Sequence, residues 1–171
     1  MSPFFLLILL KISTSGVIIF KVVNLFEIRT GNYRQTEKLG EILAQKAGVT
    51  VYAMFGEMGC GKTVLSRGIV KGLGVDADVT SPTFALINEY RGEGKSVYHF
   101  DMYRIGNEDD LYSTGYYDYL DSGSALIIEW SENIVSSLPD DCVKIYITKT
   151  ENPDERVFKI SGCEEFELTC D

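Results

Sequence analysis

GEMGCGKT, running Gly56-Glu57-Met58-Gly59-Cys60-Gly61-Lys62-Thr63, decides how this chain is read. It fits G-x-x-x-x-G-K-S/T, a loop whose successive backbone N–H groups face phosphate oxygens at the positive end of a helix. The flanks supply the context that the motif requires. Upstream, TVYAMF (residues 50–55) is a short apolar run that reads as a buried strand. Downstream, KTVLSRGIVKGLG carries Val64, Leu65, Ile69, Val70 and Leu73 on one helical side and closes with Gly72 and Gly74. In such a loop the Lys62 ammonium neutralises β/γ-phosphate charge and the Thr63 hydroxyl ligates Mg²⁺. All eight residues from Gly56 to Thr63 are therefore candidate nucleotide-binding positions. The alternative is a plain glycine turn between strand and helix.

A phosphate loop alone only binds. Turnover needs a carboxylate on the metal side and a group that orients the attacking atom. Two apolar runs end in acids, VYHFD in Asp101 and ALIIE in Glu129. His99 and Asp101 lie two apart on a strand and so share a face. Glu129 follows residues that read as fully buried, and a buried lone carboxylate is costly unless it is paired or faces a metal. Glu129 is thus preferred for the metal, with Asp101 second; for each, an acid capping a turn is the alternative. Thr83, in TSPTF (residues 80–84), occupies the place where a P-loop GTPase keeps a γ-phosphate-sensing threonine. A proline-centred turn competes with that role. No Asp is followed by Gly three residues on, and Thr148-Lys149-Thr150-Glu151 only loosely echoes a guanine-reading motif, so ATP is preferred to GTP.

The remaining pattern is that of an α/β protein. TEKLGEILAQKAG (36–48) has Leu39, Ile42 and Leu43 at helical spacing. FALINEY (84–90) and SVYHFDMYR (96–104) flank a glycine-bearing connector and read as a hairpin. VKIYITK and RVFKISG read as a second hairpin. Asn107 caps a short helix with acids in its first turn, and SENIVSSL is another short helix ending before Pro139. The expected fold is a P-loop NTPase-like mixed sheet flanked by helices, with antiparallel hairpin additions.

The length of 171 residues suits one domain. We assign residues 17–171 to it, with a first strand over Val17–Ile28, and set residues 1–16 apart as an atypical apolar extension. Neither apolar run near the start reaches the roughly 18 residues that a membrane span needs. For residues 1–16 an appended or mis-started terminus is favoured over a weak anchor or an extra strand, and no stable membrane association is expected. Four cysteines without a C-x-x-C pair, and one histidine, argue against a zinc site and fit a reduced, cytoplasmic protein. A net charge of −9 argues against a strong direct grip on DNA or RNA. Asn107–Asp121 packs five acids and four tyrosines, which suits either a docking surface or a solvated helix with core-facing tyrosines.

GEMGCGKT, SPTFALINEY, YHFDMYRI, DLYSTGYYDYL and ALIIEW, in this order, resemble the TsaE (YjeE) ATPases of bacterial tRNA threonylcarbamoyladenosine synthesis. The resemblance runs from about Val23 to Val157. It implies an Mg²⁺-dependent ATP hydrolase that works in a complex with a threonylcarbamoyl transferase and its inactive-paralogue partner (TsaD and TsaB type). The transferase moves threonylcarbamoyl from its adenylate onto adenosine 37 of tRNA, and the ATPase supports repeated turnover. By position, Lys62 and Thr63 match the P-loop lysine and magnesium threonine, Asp101 the HFD aspartate, Glu129 the EW glutamate, and Trp130 the tryptophan beside the nucleotide. Thr36 falls in a T-x-x-L-G pattern on the adenine side. Val64 stands where the family usually has a second threonine, and Ser131 where it has proline. A small-molecule P-loop kinase and a nucleotide-dependent assembly switch with incidental hydrolysis are the rival readings. The first would need a lid of arginines, and the chain has six Arg in all, of which Arg67, Arg91, Arg104 and Arg156 are near enough in sequence to matter.

Overall fold

A computed structural model of the chain describes residues 5–12, 18–82 and 84–163. Its elements run β1 (Phe5–Ile12), β2 (Ile18–Thr30), α1 (Tyr33–Lys46), β3 (Val51–Phe55), α2 (Lys62–Gly72), β4 (Ile87–Gly92), β5 (Lys95–Asp101), α3 (Glu108–Ser113), α4 (Tyr116–Asp121), β6 (Ala125–Glu129), a 3₁₀ segment (Ser131–Ser137), β7 (Val143–Lys149) and β8 (Arg156–Ser161). The strands form one mixed sheet in the order β1-β2-β8-β7-β3-β6-β5-β4. The centre, β7-β3-β6-β5, is parallel. Antiparallel pairs extend it on both sides, β4 beside β5 and β8, β2 and β1 beyond β7. This is the mixed α/β architecture that the sequence pattern implies.

The continuous apolar run of β3 follows from its place in the middle. All five of its residues are buried, because both sheet faces are covered and side chains alternate between them. Tyr52 and Met54 pack with Leu39 and Leu43 of α1 and Leu65 and Ile69 of α2. Val51, Ala53 and Phe55 pack on the other face with Leu111, Tyr116 and Ile134. β6 divides the same way, Ile127 to one face and Leu126 and Ile128 to the other. The two long helices meet through glycines. A Cβ on Gly40 would stand 2.5 Å from the Leu65 carbonyl, and one on Gly68 would collide with the Glu37 carbonyl.

Three sequence expectations need amendment. The N-terminal segment contributes a strand, since Phe5–Ile12 pairs with β2 through Phe5↔Leu25 to Ile12↔Ile18. The favoured reading of an appended terminus did not place that strand, because its apolar run lacks the alternation of a half-buried strand. A second short helix, α4, follows α3. Gly115, at φ 72°, breaks what reads as one helix and caps the next. The tyrosines of Asn107–Asp121 divide between both readings: Tyr116 is fully buried and its hydroxyl donates to the Ser137 carbonyl, while Tyr112 is 75% exposed. Asn107 does cap α3, accepting from the Asp110 amide at 2.9 Å. Among the described residues no helix is long and apolar enough to cross a membrane.

Candidate active site

β3 ends at Phe55, and the chain turns through residues 56–61 into the N-terminus of α2 at the edge of the parallel core. Gly56 opens the turn at φ 143°, with the Ile147 carbonyl 2.5 Å from where a Cβ would be, so only glycine fits. Lys62 is 5% exposed. Its Nζ donates to the carbonyls of Gly56 (2.6 Å) and Glu57 (3.0 Å) and lies 3.9 Å from the centre of the Trp130 ring. These partners are neutral, so the ammonium keeps a charge that an anion could recruit.

Two further cations hold the loop from behind. Lys149 and Arg156 face each other across the β7–β8 pair. The Lys149 Nζ donates to the Met58 carbonyl at 2.7 Å and sits 3.3 Å from Glu57 Oε1. The Arg156 Nε donates to the Cys60 carbonyl at 2.9 Å. With these carbonyls tied down, loop amides other than that of Cys60, which donates to the Glu57 carbonyl at 3.3 Å, can serve an anion, as in a backbone nest. Cys60 is fully buried, and burial pushes its thiol above the ordinary range against the opposing pull of Lys62.

In front of the loop lies a cleft of about 470 Å³ lined by Met58, Gly59, Gly61–Val64, Ser81, Asp101, Tyr103, Arg104, Glu129 and Trp130. The acids reach it because β5 and β6 run parallel and end together, with Asp101 in register with Glu129. Asp101 and Glu129 are 4% and 3% exposed. Glu129 Oε1 accepts from the Thr63 hydroxyl at 3.0 Å and lies 3.0 Å from His99 Nε2. Asp101 accepts from the Tyr103 amide (Oδ1, 3.0 Å) and from the Ser81 hydroxyl (Oδ2, 3.4 Å). Immediately after Glu129 the chain bends sharply, with Trp130 at φ 59°. A non-glycine residue there costs about 1–2 kcal/mol, and the bend sets the half-buried indole between Lys62 and Tyr103, whose ring is 4.8 Å away.

The structure therefore brings Lys62, Thr63, Asp101, Glu129 and Trp130 to one cleft. Thr36 is elsewhere, in a smaller hollow of about 120 Å³ with Tyr33, Gly61, Val64, Pro153, Asp154 and Arg156. The two spaces share Gly61 and Val64 and so flank the start of α2. Thr36 is buried, its hydroxyl 2.8 Å from that of Thr30. Glu57 points at Lys149 and Cys60 into the core, so those two meet a ligand only through the backbone. Thr83 lies outside the described residues. Sequence reasoning missed Tyr103 as a lining residue, named Arg104 only among the arginines a kinase lid would need, and gave His99 no role. It also read Lys149 only as part of a loose guanine motif; the register of β7 instead carries it to the loop.

The model of the family described as threonylcarbamoyl adenosine biosynthesis protein TsaE matches residues 30–158. The chain belongs to the TsaE family. Family relatives bear the name tRNA threonylcarbamoyladenosine biosynthesis protein TsaE. That of Haemophilus influenzae is 39% identical over 114 residues, covering 65% of this chain and 72% of that protein. That of Streptomyces coelicolor is 36% identical over 141 residues, 78% of this chain and 95% of that protein. The crystal structure of Bacillus subtilis YdiB superposes with a TM-score of 0.67 at 26% identity, covering 84% of this chain and 89% of that one. TsaE membership gives this chain a role in tRNA threonylcarbamoyladenosine biosynthesis.

Proposed function

We propose that the protein is a cytoplasmic Mg²⁺-dependent ATPase that serves an assembly transferring threonylcarbamoyl to adenosine 37 of tRNA. The observation that carries this reading is the Thr63–Glu129 hydrogen bond of 3.0 Å beside a buried Lys62. A hydroxyl and a carboxylate in contact, next to an ammonium at a helix N-terminus, form the donor set that suits a hard divalent cation on a polyphosphate. Thr63 and Glu129 would hold Mg²⁺ there, and the ion when bound would supply neutralisation of the charge that develops in phosphoryl transfer.

The chain's own residues then divide the work. The loop amides cradle the phosphates, and Lys62 exchanges its two carbonyl partners for β/γ oxygens. Thr63 and Glu129 hold the metal side, with Asp101 next to them. The end of the cleft at Asp101 and Ser81 is assigned to the γ-phosphate and the attacking water. The hollow at Tyr33, Thr36 and Arg156 suits the base and ribose, and Trp130 covers the phosphates from the other side. The kinase rival fares worse: Arg67 is engaged with the Val79 carbonyl and Glu37, Arg91 with Glu89, and Arg156 with the loop backbone, which leaves Arg104 of that set in the cleft.

The partners proposed are a threonylcarbamoyl transferase and its inactive paralogue, with tRNA held through them. A net charge of −9 supports indirect contact with RNA. Phosphate release from ATP, with and without these partners, tests the reading. It should require Mg²⁺ and stop when a chelator removes it. Phosphate transfer to a small-molecule acceptor instead of water would favour the kinase.

A further inference from the structure

His99 is fully buried in β5, and it is the chain's only histidine. Its Nδ1 has no hydrogen-bond partner. A core position that keeps a polar ring with one orphaned nitrogen would be better filled by an apolar side chain, unless the other nitrogen does something needed. That other nitrogen, Nε2, lies 3.0 Å from Glu129 Oε1 and 3.4 Å from Ser66 Oγ. The Ser66 hydroxyl hydrogen is committed to the Lys62 carbonyl at 3.1 Å. A carboxylate and an already donating hydroxyl both ask Nε2 for a proton, which assigns an N–H to Nε2.

Glu129 Oε1 thus takes two donors, Thr63 from α2 and His99 from β5. They are not equivalent. On the ATPase reading above, the Thr63 hydroxyl would also serve the metal with its oxygen, so it is shared between two roles. His99 is locked in the sheet, its backbone paired opposite Ile127 on β6 and Asn88 on β4. We propose that His99 is a positioning residue, the donor fixed in the sheet that keeps the Glu129 carboxylate aimed at the cleft beside the shared Thr63 hydroxyl. Its contact is with the carboxylate, not with the nucleotide, so it acts on turnover more than on ATP binding.

The proposal rests on the ATPase reading, and its test separates the two. His99→Gln, His99→Asn and His99→Leu are compared in the full chain. Phosphate release gives kcat and KM, Trp130 fluorescence gives ATP binding, and thermal unfolding gives Tm. Glutamine carries an amide N–H about as far from the backbone as imidazole Nε2, whereas asparagine stops short. The expected result is a kcat at least about tenfold lower in His99→Leu, with KM for ATP within about threefold of wild type. His99→Gln should recover most of the lost rate and His99→Asn little of it. Wild-type turnover in His99→Leu overturns the proposal, and so does a His99→Gln protein no faster than His99→Asn at equal Tm. Should His99→Leu fail to fold, the comparison of the other two decides. A wild-type chain that binds ATP and releases no phosphate even with the partner subunits present sinks the ATPase reading and this proposal together. An active wild type with an unimpaired His99→Leu sinks the proposal alone.

Discussion

Glu129 and Asp101 both stand at the mouth of the cleft, yet their partners set them apart. Glu129 touches the P-loop threonine, whereas Asp101 is bonded to the Tyr103 amide and the Ser81 hydroxyl. Glu129→Gln keeps the size and removes the charge, so it should lower kcat by at least about tenfold while Tm changes little. Loss of hydrolysis in Asp101→Asn with full activity in Glu129→Gln would reverse the order of the two acids. Trp130 offers a second test. It is the only tryptophan, and the Lys62 ammonium lies on its ring. Recruitment of Lys62 by phosphate should therefore change its fluorescence on addition of Mg²⁺-ATP. A flat titration, in protein shown by calorimetry to bind ATP, would contradict the proposed movement. The P-loop residues were legible as site candidates through their motif, and Asp101 and Glu129 because each ends an apolar run at a strand terminus; Trp130 came to notice through the family motif. The bond from His99 to Glu129 was not legible, since it depends on the β5–β6 register, which no local pattern fixes.

At the scale of elements, the loop works because its supports are stiff. α1 backs α2 at glycine-to-backbone distance, and α2 begins with Lys62. Gly68→Ala would press a methyl group into the Glu37 carbonyl, and overpacking of this kind costs about 1–3 kcal/mol or more. Chemical denaturation should show that loss, and an unchanged midpoint would mean that the helices can part freely. The β4–β5 hairpin has an acid-sensitive edge. Arg91, with Ser96 and Tyr98, holds the Glu89 carboxyl down to about 2. Its folded value lies below the unfolded one, so its contribution is present above about pH 4.3 and is lost as the pH falls towards 2. An NMR titration in which Glu89 has an ordinary midpoint would remove that contact. Apolar periodicity and turn residues mark the parallel core and both hairpins in the sequence. They do not reveal that β8 also pairs with β2, because that contact joins residues more than a hundred positions apart.

For the whole molecule, the proposed work alongside partners makes predictions about charge. The chain is acidic, so alone it should bind tRNA weakly and with little salt dependence, because neutralised phosphates supply most such affinity. Tight, salt-sensitive tRNA binding by the isolated chain would contradict this. The exposed acids of α3, Glu108 and Asp109, are the docking surface to probe. Asp110 is tied to the Gly106 amide, so charge reversal at Asp109 is the cleaner probe. It should weaken association with the transferase complex, more so at low salt. The central claim is narrower than any of this: the cleft at Lys62 binds and hydrolyses ATP. Lys62 contributes a single unneutralised charge there, so Lys62→Ala should lower kcat/KM for phosphate release by at least about tenfold, equivalent to about 1.4 kcal/mol. The most direct measurement is steady-state phosphate release from Mg²⁺-ATP by wild type and Lys62→Ala, side by side and with the partner subunits present. The account predicts release by wild type and at least that loss in the variant; equal release by a well-folded Lys62→Ala protein would contradict it.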